Sequence, residues 1–409
     1  MGMSVFELIL NVTERCDRAC GYCRVPKSGR SMSWDTACRA LGEAEGQPLP
    51  SVGFYGGEPL IEAELVIRAM GRAMSTLNRP VFTLTTNGRH LDEGLLDRME
   101  GAPIDISLSH DGMRQGSTRP SPGIDALADA DRAARALLEY KPASLAMCTY
   151  RPQDVPGLRR DVEHLAGLGF KRISLNPDLY SSGWDFDELE SELIGIMDDF
   201  PGAAVPSGSE PCVCTSRAGR TLFVDTDGTY YPCLAHKGRR DLAIGDAEHG
   251  VDRCARDSVL ARSAMIPERC VGCEHYSRCM VGCGCARLIS TGGLEGVSDD
   301  LCAYERMLFG LRTDGCRGEG IFHGCAISDD AVQSMHKDGE GSLLHGNGFR
   351  ARNAFLSARQ GLYRFRPSPE GEVRGFKEPV RLKAEPILGP GLVWRAWGPG
   401  PPHHLIEAR

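Results

Sequence analysis

Long apolar runs are absent from this sequence of 409 residues, because no uninterrupted stretch approaches the roughly 18 to 20 residues that a membrane-spanning helix needs. An excess of positive charge is also absent: 47 Lys and Arg against 55 Asp and Glu leave a formal net charge of −8. The first absence predicts a protein that does not insert into membranes. The second argues against nucleic acid and anionic lipid as binding partners, since an acidic surface attracts neither.

A secretory leader is the third missing feature. Residues 1–10 contain Glu7 and lack both a basic segment and a small-residue cleavage site, and Phe6 breaks the myristoylation pattern. We therefore expect a cytoplasmic, reducing location. In such a compartment, clustered cysteines are more often metal ligands or catalysts than disulfide partners, and this sequence contains 17 of them.

What the first half of the sequence does contain is an alternation of short β-rich runs with amphipathic segments of helix length. Strands are predicted at residues 5–11, 51–55, 81–86, 104–109, 144–150 and 171–176, and helices at residues 33–45, 63–77, 93–99, 124–139, 155–168 and 186–200. Such alternation requires right-handed crossovers and a parallel sheet. The predicted fold class is α/β, a partial (β/α)6 TIM-like barrel with its functional residues beyond the carboxyl ends of the strands.

Shifts in composition divide the rest of the chain. Residues 201–210 are rich in Pro, Gly, Ala and Ser, which predicts a linker, and ten cysteines lie between Cys212 and Cys302. We expect this region to have few long helices and to depend on bound metal as much as on an apolar core. After Gly346 the chain is basic and rich in Pro, which predicts a weakly structured tail with short β segments such as residues 392–397. The predicted domains are residues 1–205, 206–315 and 316–409.

A first cysteine cluster, Cys16, Cys20 and Cys23, directly follows the first predicted strand. Thiolates at this spacing can wrap one iron–sulfur cube and leave one iron without a protein ligand. The alternative is a zinc knuckle without its fourth ligand. Two neighbouring features favour the cube, namely Tyr22 before the last cysteine and the run Gly-Gly-Glu-Pro at residues 56–59 after the second predicted strand.

With these motifs the sequence resembles the radical S-adenosylmethionine superfamily. The resemblance implies that Cys16, Cys20 and Cys23 hold a [4Fe–4S] cluster whose fourth iron chelates S-adenosylmethionine, which is cleaved reductively to a 5′-deoxyadenosyl radical. It also implies that Tyr22 packs near the adenine, and that Gly56, Gly57 and Glu58 meet the methionyl amine. This chemistry is reasonable, because glycine permits close backbone approach and a carboxylate complements an ammonium group.

Two further matches lie at later strand ends, Thr-Thr-Asn-Gly at residues 85–88 and Ser-His-Asp-Gly at residues 109–112. They resemble the ribose and carboxylate contacts of the same superfamily, which the resemblance assigns here to Asn87, Ser109, Asp111 and Arg119. The alternative interpretation is an ordinary turn after each strand. His110 departs from the usual pattern, which has a hydrophobic residue at that position.

A second cysteine field lies in residues 206–315. Considered alone, these spacings suit two structural zinc sites as well as iron–sulfur clusters. Beside the first cluster, they resemble the SPASM extension, which binds two auxiliary [4Fe–4S] clusters. The resemblance assigns Cys212, Cys233 and Cys283 to the nearer cluster, with Cys214 as candidate fourth ligand, and it assigns to the farther cluster Cys270, Cys273, Cys279 and Cys302. Cys285 has no assignment.

The remaining cysteines carry weaker expectations. Cys38 and Cys148 fall in predicted regular elements and are expected to be small core residues. Cys254, Cys316 and Cys325 stay open, and each is a candidate hydrogen-atom donor to a substrate radical. The sequence identifies no catalytic acid, base or hydrogen donor.

The resemblance favours a ribosomal peptide maturase that acts on a peptide or protein side chain. Its expected partners are a reductant such as flavodoxin or ferredoxin and a separate leader-peptide recognition protein, because the chain begins almost at its first strand. An anaerobic sulfatase-maturating enzyme is the alternative, but Leu234 stands where that group has an aspartate after the cysteine, and Asp225 and Asp227 lie upstream. A non-catalytic iron–sulfur electron carrier would explain the cysteines, but not residues 56–59.

Overall fold

The structure is a computed structural model that describes residues 7–47, 50–178, 180–201, 204–206, 219–276 and 279–313, and four short strands after residue 370. The chain divides into two compact units, Met1–Met335 and His336–Arg409. Within the described residues, no helix is both long and apolar enough to cross a membrane.

A single mixed sheet organises the first unit. Its strands are β1 Glu7–Thr13, β2 Ser51–Gly56, β3 Val81–Thr86, β4 Ile104–Ser109, β5 Leu145–Tyr150, β6 Arg172–Pro177, β7 Ala204–Pro206, β8 Thr221–Val224, β9 Thr229–Tyr231, β10 Gly245–Asp246 and β11 Gly250–Val251. The spatial order is β11-β10-β9-β8-β1-β2-β3-β4-β5-β6-β7. The eight strands from β8 to β7 in this order run parallel, and β9, β10 and β11 continue the sheet antiparallel.

The parallel partial barrel is confirmed, and it contains two strands that the sequence analysis did not predict. Strand β7 lies inside the segment interpreted as a linker, where only three residues pair with β6. Strand β8 pairs in parallel with β1, although it belongs to the cysteine-rich part of the chain. The predicted boundary after residue 205 therefore falls within β7, and β7 and β8 belong to one sheet.

The helices alternate with the strands as predicted. They are α1 Trp34–Gly42, α2 Ala63–Thr76, α3 Glu93–Arg98, α4 Gln115–Thr118, α5 Ala126–Tyr140, α6 Leu158–Leu168, α7 Phe186–Asp199, α8 Arg253–Ala264, α9 Gly284–Thr291 and α10 Asp299–Thr313. Side-chain caps define several starts, such as Ser33 at α1 and Asp125 at α5. Helix α6 begins three residues later than predicted, because the chain first forms a 3-10 turn, Pro152–Gly157, that contains Pro156.

The main apolar core lies between the parallel sheet and its helices, and it tests three predictions. Cys148 is fully buried there, as expected. Cys38 is only half-buried, so that expectation was wrong: Ala37, Ala40 and Leu41 take the buried face of α1 instead. The expectation of few long helices in the cysteine-rich region was also wrong, because α10 has 15 residues and its buried apolar side chains join the barrel core.

The second unit contains an antiparallel four-stranded sheet in the order β12-β13-β14-β15. These strands are β12 Glu372–Val373, β13 Val380–Pro386, β14 Leu392–Trp397 and β15 Leu405–Glu407. Strand β14 covers the β segment predicted at residues 392–397.

Candidate active site

The three-cysteine cluster lies on the segment between β1 and α1, here called the cysteine loop (residues 14–24). Cys16 and Cys20 are half-buried and Cys23 is exposed. Burial raises the pKa of the Cys16 and Cys20 thiols, so a cation would have to displace their protons. None of the 13 cysteines in the described part of the chain is in a disulfide. These three thiols therefore remain available as ligands.

Backbone hydrogen bonds hold the cysteine loop against the chain that follows α4. The amide of Ala19 donates to the carbonyl of Pro120 at 2.8 Å, and the amide of Gly21 donates to the carbonyl of Thr118 at 3.1 Å. Ser121 Oγ donates to the carbonyl of Asp17 at 2.7 Å. The loop that carries the cysteines is thus positioned by residues about 100 positions later in the chain.

The turn at residues 56–58 braces the base of the same loop. The amide of Gly57 donates to the carbonyl of Thr13 at 2.7 Å, and the amide of Glu58 donates to the carbonyl of Arg15 at 2.8 Å. A Cβ atom at Gly56 would lie 2.3 Å from the carbonyl oxygen of Thr13, and one at Gly57 would lie 2.3 Å from that of Arg15. Both glycines are required by this close approach of two backbone segments.

Glu58 is buried, and protein donors engage both of its carboxyl oxygens. Oε1 accepts from Thr86 Oγ1 at 2.7 Å and from the amide of Leu60 at 3.0 Å, while Oε2 accepts from the amide of Asn87 at 2.7 Å. Burial raises its pKa to about 7, although these hydrogen bonds act in the opposite direction. Glu58 therefore connects the turn after β2 to the end of β3.

Asn87 connects the end of β3 to the cysteine loop. Its Nδ2 donates to Asp17 Oδ1 at 2.8 Å, and its Oδ1 accepts from the amide of Arg89 at 2.9 Å. Asp17 also forms an ion pair with Arg89 at 3.3 Å, and its Oδ2 lies 2.9 Å from His90 Nε2. The sequence analysis did not single out Asp17, because its contacts come from residues some 70 positions away.

Asp111 and Arg119 form a buried ion pair beneath Tyr22. Asp111 Oδ2 accepts from Tyr22 Oη at 2.6 Å, from Thr118 Oγ1 at 2.7 Å and from Arg119 Nε at 2.9 Å, and Oδ1 accepts from the amide of Thr149 at 2.9 Å. Burial acts to raise the pKa of Asp111, but the charge of Arg119 and these hydrogen bonds lower it. The Arg119 guanidinium lies 5.2 Å from the centroid of the Tyr22 ring. These three predicted site residues are brought together, and Ser109 is half-buried at the end of β4.

His110, the departure from the superfamily pattern, braces the Asp111 turn. Its Nδ1 accepts from the amide of Gly112 at 3.1 Å, so its proton lies on Nε2, which contacts Asp131 Oδ1 at 3.0 Å. His164 Nε2 contacts the same oxygen at 2.8 Å. Among the described residues, only these two histidines and Asp131 bring three ligand-type atoms within 4.8 Å of one another. The bond from Gly112 leaves His110 as a brace, because a metal on Nε2 would require the proton on Nδ1.

A second group of side chains connects the barrel to the cysteine-rich region. Lys237 Nζ lies 2.8 Å from Glu14 Oε1 and 3.3 Å from Asp225 Oδ1, and Arg30 Nη2 lies 3.0 Å from Glu14 Oε1. Burial alone would raise the pKa of Glu14, but hydrogen bonds from Arg30, Lys237 and Ser28 lower it to about 2. The two carboxylates are therefore held as ion-pair partners.

The second cysteine field separates into two neighbourhoods. Cys270 interacts electrostatically with Cys273, Cys302 and Cys279, and Cys279 Sγ accepts from the amide of Val281 at 3.4 Å. The other neighbourhood contains Cys233, Cys283 and Cys285. Cys212 and Cys214 lie outside the described residues, as do Cys316 and Cys325. Cys254 is exposed on α8.

The part of the chain that contains the cysteine loop is similar to a known protein family. Residues 10–115 match the Radical SAM superfamily. A GTP 3′,8-cyclase of Mycobacterium ulcerans is 33% identical over 146 residues, which is 32% of this chain and 39% of that protein. An uncharacterized protein of Methanocaldococcus jannaschii is 25% identical over 246 residues, which is 56% of this chain and 85% of that protein. The chain thus spans about two fifths of the length of the mycobacterial cyclases that it matches.

Solved structures share the fold over a longer stretch. Native anSMEcpe with bound AdoMet has a TM-score of 0.60 at 18% identity, covering 76% of this chain and 99% of its own. SuiB of Streptococcus suis bound to S-adenosylmethionine has a TM-score of 0.57 at 16% identity, covering 73% of this chain and 77% of its own. At these identities the likeness concerns the fold.

Proposed function

Because residues 10–115 form a radical SAM domain, we propose that this protein cleaves S-adenosylmethionine reductively and uses the resulting radical to modify a peptide or protein side chain. The observation that carries the proposal is the frame of hydrogen bonds around the cysteine loop. Residues after β2, β3 and β4 all hold this loop at the carboxyl ends of the strands, through Glu58, Asn87 and Asp111. That is where parallel barrels place reacting groups.

The residues present fit an iron–sulfur cluster with one open iron. Cys16, Cys20 and Cys23 would hold it, since three cysteines share one braced loop and no other cysteine is among the loop's described contacts. When bound, the cluster and S-adenosylmethionine supply a 5′-deoxyadenosyl radical that abstracts a substrate hydrogen. In this proposal the carboxylate of Glu58 orients the turn at residues 56–58, and the turn's backbone meets the methionyl amine.

The other predicted cofactor contacts divide into two roles. Asn87 and Ser109 are proposed to contact the ribose and carboxylate of S-adenosylmethionine. Asp111 accepts from Tyr22, Thr118, Arg119 and the amide of Thr149, so we assign to Asp111 and Arg119 the task of keeping Tyr22 and the cysteine loop in place. The buried ion pair resists displacement, because breaking it would leave an uncompensated charge.

Two auxiliary [4Fe–4S] clusters in the cysteine-rich region belong to the same proposal, as in a SPASM domain. Cys270, Cys273, Cys279 and Cys302 would hold the farther cluster, and Cys233 and Cys283 the nearer one, with Cys212 and Cys214 as further candidates. Their proposed role is to take up the electron when a substrate radical is oxidised. A flavodoxin or ferredoxin is the proposed source of the initial electron.

A peptide substrate is supported by complexes of proteins with the same fold. One solved structure contains anSMEcpe with bound AdoMet and Kp18Cys peptide, and another contains SuiB bound to the precursor peptide SuiA. The similarity to GTP 3′,8-cyclases covers 32% of this chain and supports the cofactor chemistry without extending to the substrate. A separate protein that presents the peptide leader is a proposed partner.

Sulfatase maturation is less well supported, because it requires a base near Cys233. Leu234 occupies the next position, Asp225 is bound to Asn11 at 2.6 Å and to Lys237, and Glu14 keeps a pKa of about 2. With its pKa lowered this far, the Glu14 carboxylate is a poor proton acceptor at neutral pH.

The test is anaerobic reconstitution followed by iron and sulfide analysis and an assay for 5′-deoxyadenosine with dithionite and S-adenosylmethionine. The parent is expected to bind about twelve irons, and the triple variant Cys16→Ala, Cys20→Ala, Cys23→Ala about four fewer, with no deoxyadenosine. Cys254→Ala is the matched control, because Cys254 is exposed and outside both neighbourhoods. A parent that contains zinc instead of iron, or that cleaves no S-adenosylmethionine, would refute the proposal. Mass spectrometry of short peptides encoded beside the gene, with GTP in parallel, then tests the substrate class.

A further inference from the structure

Cys285, which the cysteine spacing leaves unassigned, lies at the centre of the neighbourhood of Cys233 and Cys283. Its side chain is 8% exposed and is in hydrogen-bonding contact with both of these thiols. Its Sγ also lies 3.7 Å from Nε2 of His236. Four potential ligand or donor groups thus converge from two parts of the chain.

The backbone delivers Cys285 to this position firmly. Cys283 is the N-cap of α9, and Cys285 lies in the first turn of that helix. Gly284 permits close packing on α8, since a Cβ atom there would lie 2.8 Å from the side chain of Ser263. Arg287, which is fully buried, donates to the carbonyls of Val281 at 2.8 Å and Ser263 at 2.7 Å. The start of α9 is therefore fixed against α8 and the chain before it.

His236 supplies a second observation that points to a bound group. It is 1% exposed, and its Nδ1 has no hydrogen-bond partner among the described residues. It follows Cys233 in the 3-10 turn Leu234–His236, which packs on α9. A buried imidazole with one unsatisfied nitrogen and the other beside a sulfur is typical of the surroundings of a metal–thiolate centre.

The three sulfurs do not form a compact set around a single zinc ion. In a tetrahedral zinc site with Zn–S bonds of about 2.3 Å, every pair of sulfurs lies about 3.8 Å apart. Among the described residues, no set of three cysteines brings its sulfurs within 4.8 Å of one another, since the only such trio of ligand atoms is that of His110, Asp131 and His164. Cys285 touches both neighbours, yet the three sulfurs together do not surround one zinc ion as they stand. The choice of a cluster therefore follows from the auxiliary clusters of the proposed function.

We propose that Cys285 is a ligand of the nearer auxiliary [4Fe–4S] cluster, together with Cys233 and Cys283, and that His236 donates a hydrogen bond from Nε2 to the Cys285 sulfur. This assignment rests on the auxiliary clusters of the proposed function. It gives Cys285 the role for which the resemblance indicated Cys214.

The experiment uses the full chain with Cys16, Cys20 and Cys23 replaced by alanine, so that only auxiliary iron is counted. In this background, Cys285→Ala is compared with Cys285→Ser and with the control Cys254→Ala. Iron and sulfide are quantified, and the reduced clusters are examined by electron paramagnetic resonance and Mössbauer spectroscopy. We expect about eight irons in the background and the control, and a loss of about one to four in Cys285→Ala. Cys285→Ser is expected to recover iron with an altered spectrum, because oxygen replaces sulfur at one iron.

Separate outcomes refute the two proposals. A background without auxiliary iron refutes the auxiliary clusters and this assignment with them. In the other case the background holds about eight irons, and Cys285→Ala and Cys285→Ser both keep the iron content and spectrum of Cys254→Ala. This result overturns only the assignment of Cys285. His236→Phe tests the hydrogen bond: we expect unchanged iron and a more negative midpoint potential, since donors to ligand sulfur raise the potential. An unchanged potential would overturn the role of His236.

Discussion

The hydrogen bond between Tyr22 and Asp111 provides the sharpest test of how the cysteine loop is held. Tyr22→Phe removes one hydroxyl whose oxygen lies 2.6 Å from Asp111 Oδ2, and keeps the ring beside Arg119. A hydrogen bond to a charged group is worth about 1.5 to 3 kcal/mol. Asp111 keeps Thr118, Arg119 and the amide of Thr149 as donors, so it is not left unsatisfied. We therefore expect a loss at the lower end, about 1.5 kcal/mol.

Hydrogen exchange read by mass spectrometry measures this loss locally. Each 1.4 kcal/mol corresponds to about a tenfold change in an equilibrium constant, so amides of the loop should exchange about tenfold faster in Tyr22→Phe. The amides of Ala19 and Gly21 are the ones to follow, because they donate to Pro120 and Thr118.

Tyr230→Phe is the matched control for this experiment. Tyr230 is fully buried, and its hydroxyl has no hydrogen-bond partner within the described part of the chain. Its removal should leave exchange in the cysteine loop unchanged. Unaltered exchange in Tyr22→Phe, or equal acceleration in both variants, would refute the view that Asp111 anchors the loop through Tyr22.

Three further predictions concern stability and pH. Gly57→Ala should lower the free energy of unfolding by about 2 kcal/mol or more and reduce iron binding, because its Cβ atom would meet the Arg15 carbonyl. Gly71→Ala, on the open surface of α2, should be neutral or stabilising in the same urea titrations. Burial raises the pKa of Glu58 from 4.5 to about 7, so the stability that its protonated form contributes is present below pH 4.5 and lost as the pH rises to about 7. Over this window the free energy of unfolding of the apo protein should fall by up to about 3 kcal/mol relative to Glu58→Gln. Parallel plots of unfolding free energy against pH for the two proteins would contradict the burial argument. Arg287→Met should lower the free energy of unfolding by about 3 kcal/mol or more, measured by thermal unfolding, and should lose auxiliary iron. Arg262→Met, which removes an exposed ion pair, should change the stability by less than about 1 kcal/mol. Similar melting of the two variants would disprove the structural role of Arg287.

The sequence predicted those elements whose signal is local. The six strands and six helices of the barrel have clear periodicity, and each appears within a few residues of its expected bounds. Strand β7 was missed because it is three residues long, ends in Pro206 and lies in a segment rich in Pro and Gly. Strand β8 was missed because its neighbour in the sheet, β1, lies more than 200 residues earlier in the chain.

The candidate site shows the same limit. Motif spacing located the cysteine loop, the turn at residues 56–58 and the ends of β3 and β4. It could not show that Glu58 binds Thr86 across 28 positions, or that Asp17 binds Asn87 across 70, because such contacts depend on the register of neighbouring strands. Cys285 was left unassigned for a related reason: its neighbours Cys233 and His236 come from another part of the chain, and only the packing of α9 on the turn after β9 brings them to it.

The pairing of β8 with β1 fixes where the cysteine loop and the chain before Cys233 begin relative to each other. Strand β1 leads into Cys16 at its carboxyl end. Strand β9 lies two strands away and runs antiparallel to β1, with Tyr231 level with Ile9, so the chain leads into Cys233 toward the amino end of β1. Backbone hydrogen bonds across the sheet set this placement of the cysteine loop relative to Cys233. The placement does not depend on the length of the connection between β7 and β8, and a longer loop costs little additional free energy. A change in the length of this connection therefore leaves the placement of Cys233 relative to the cysteine loop unchanged.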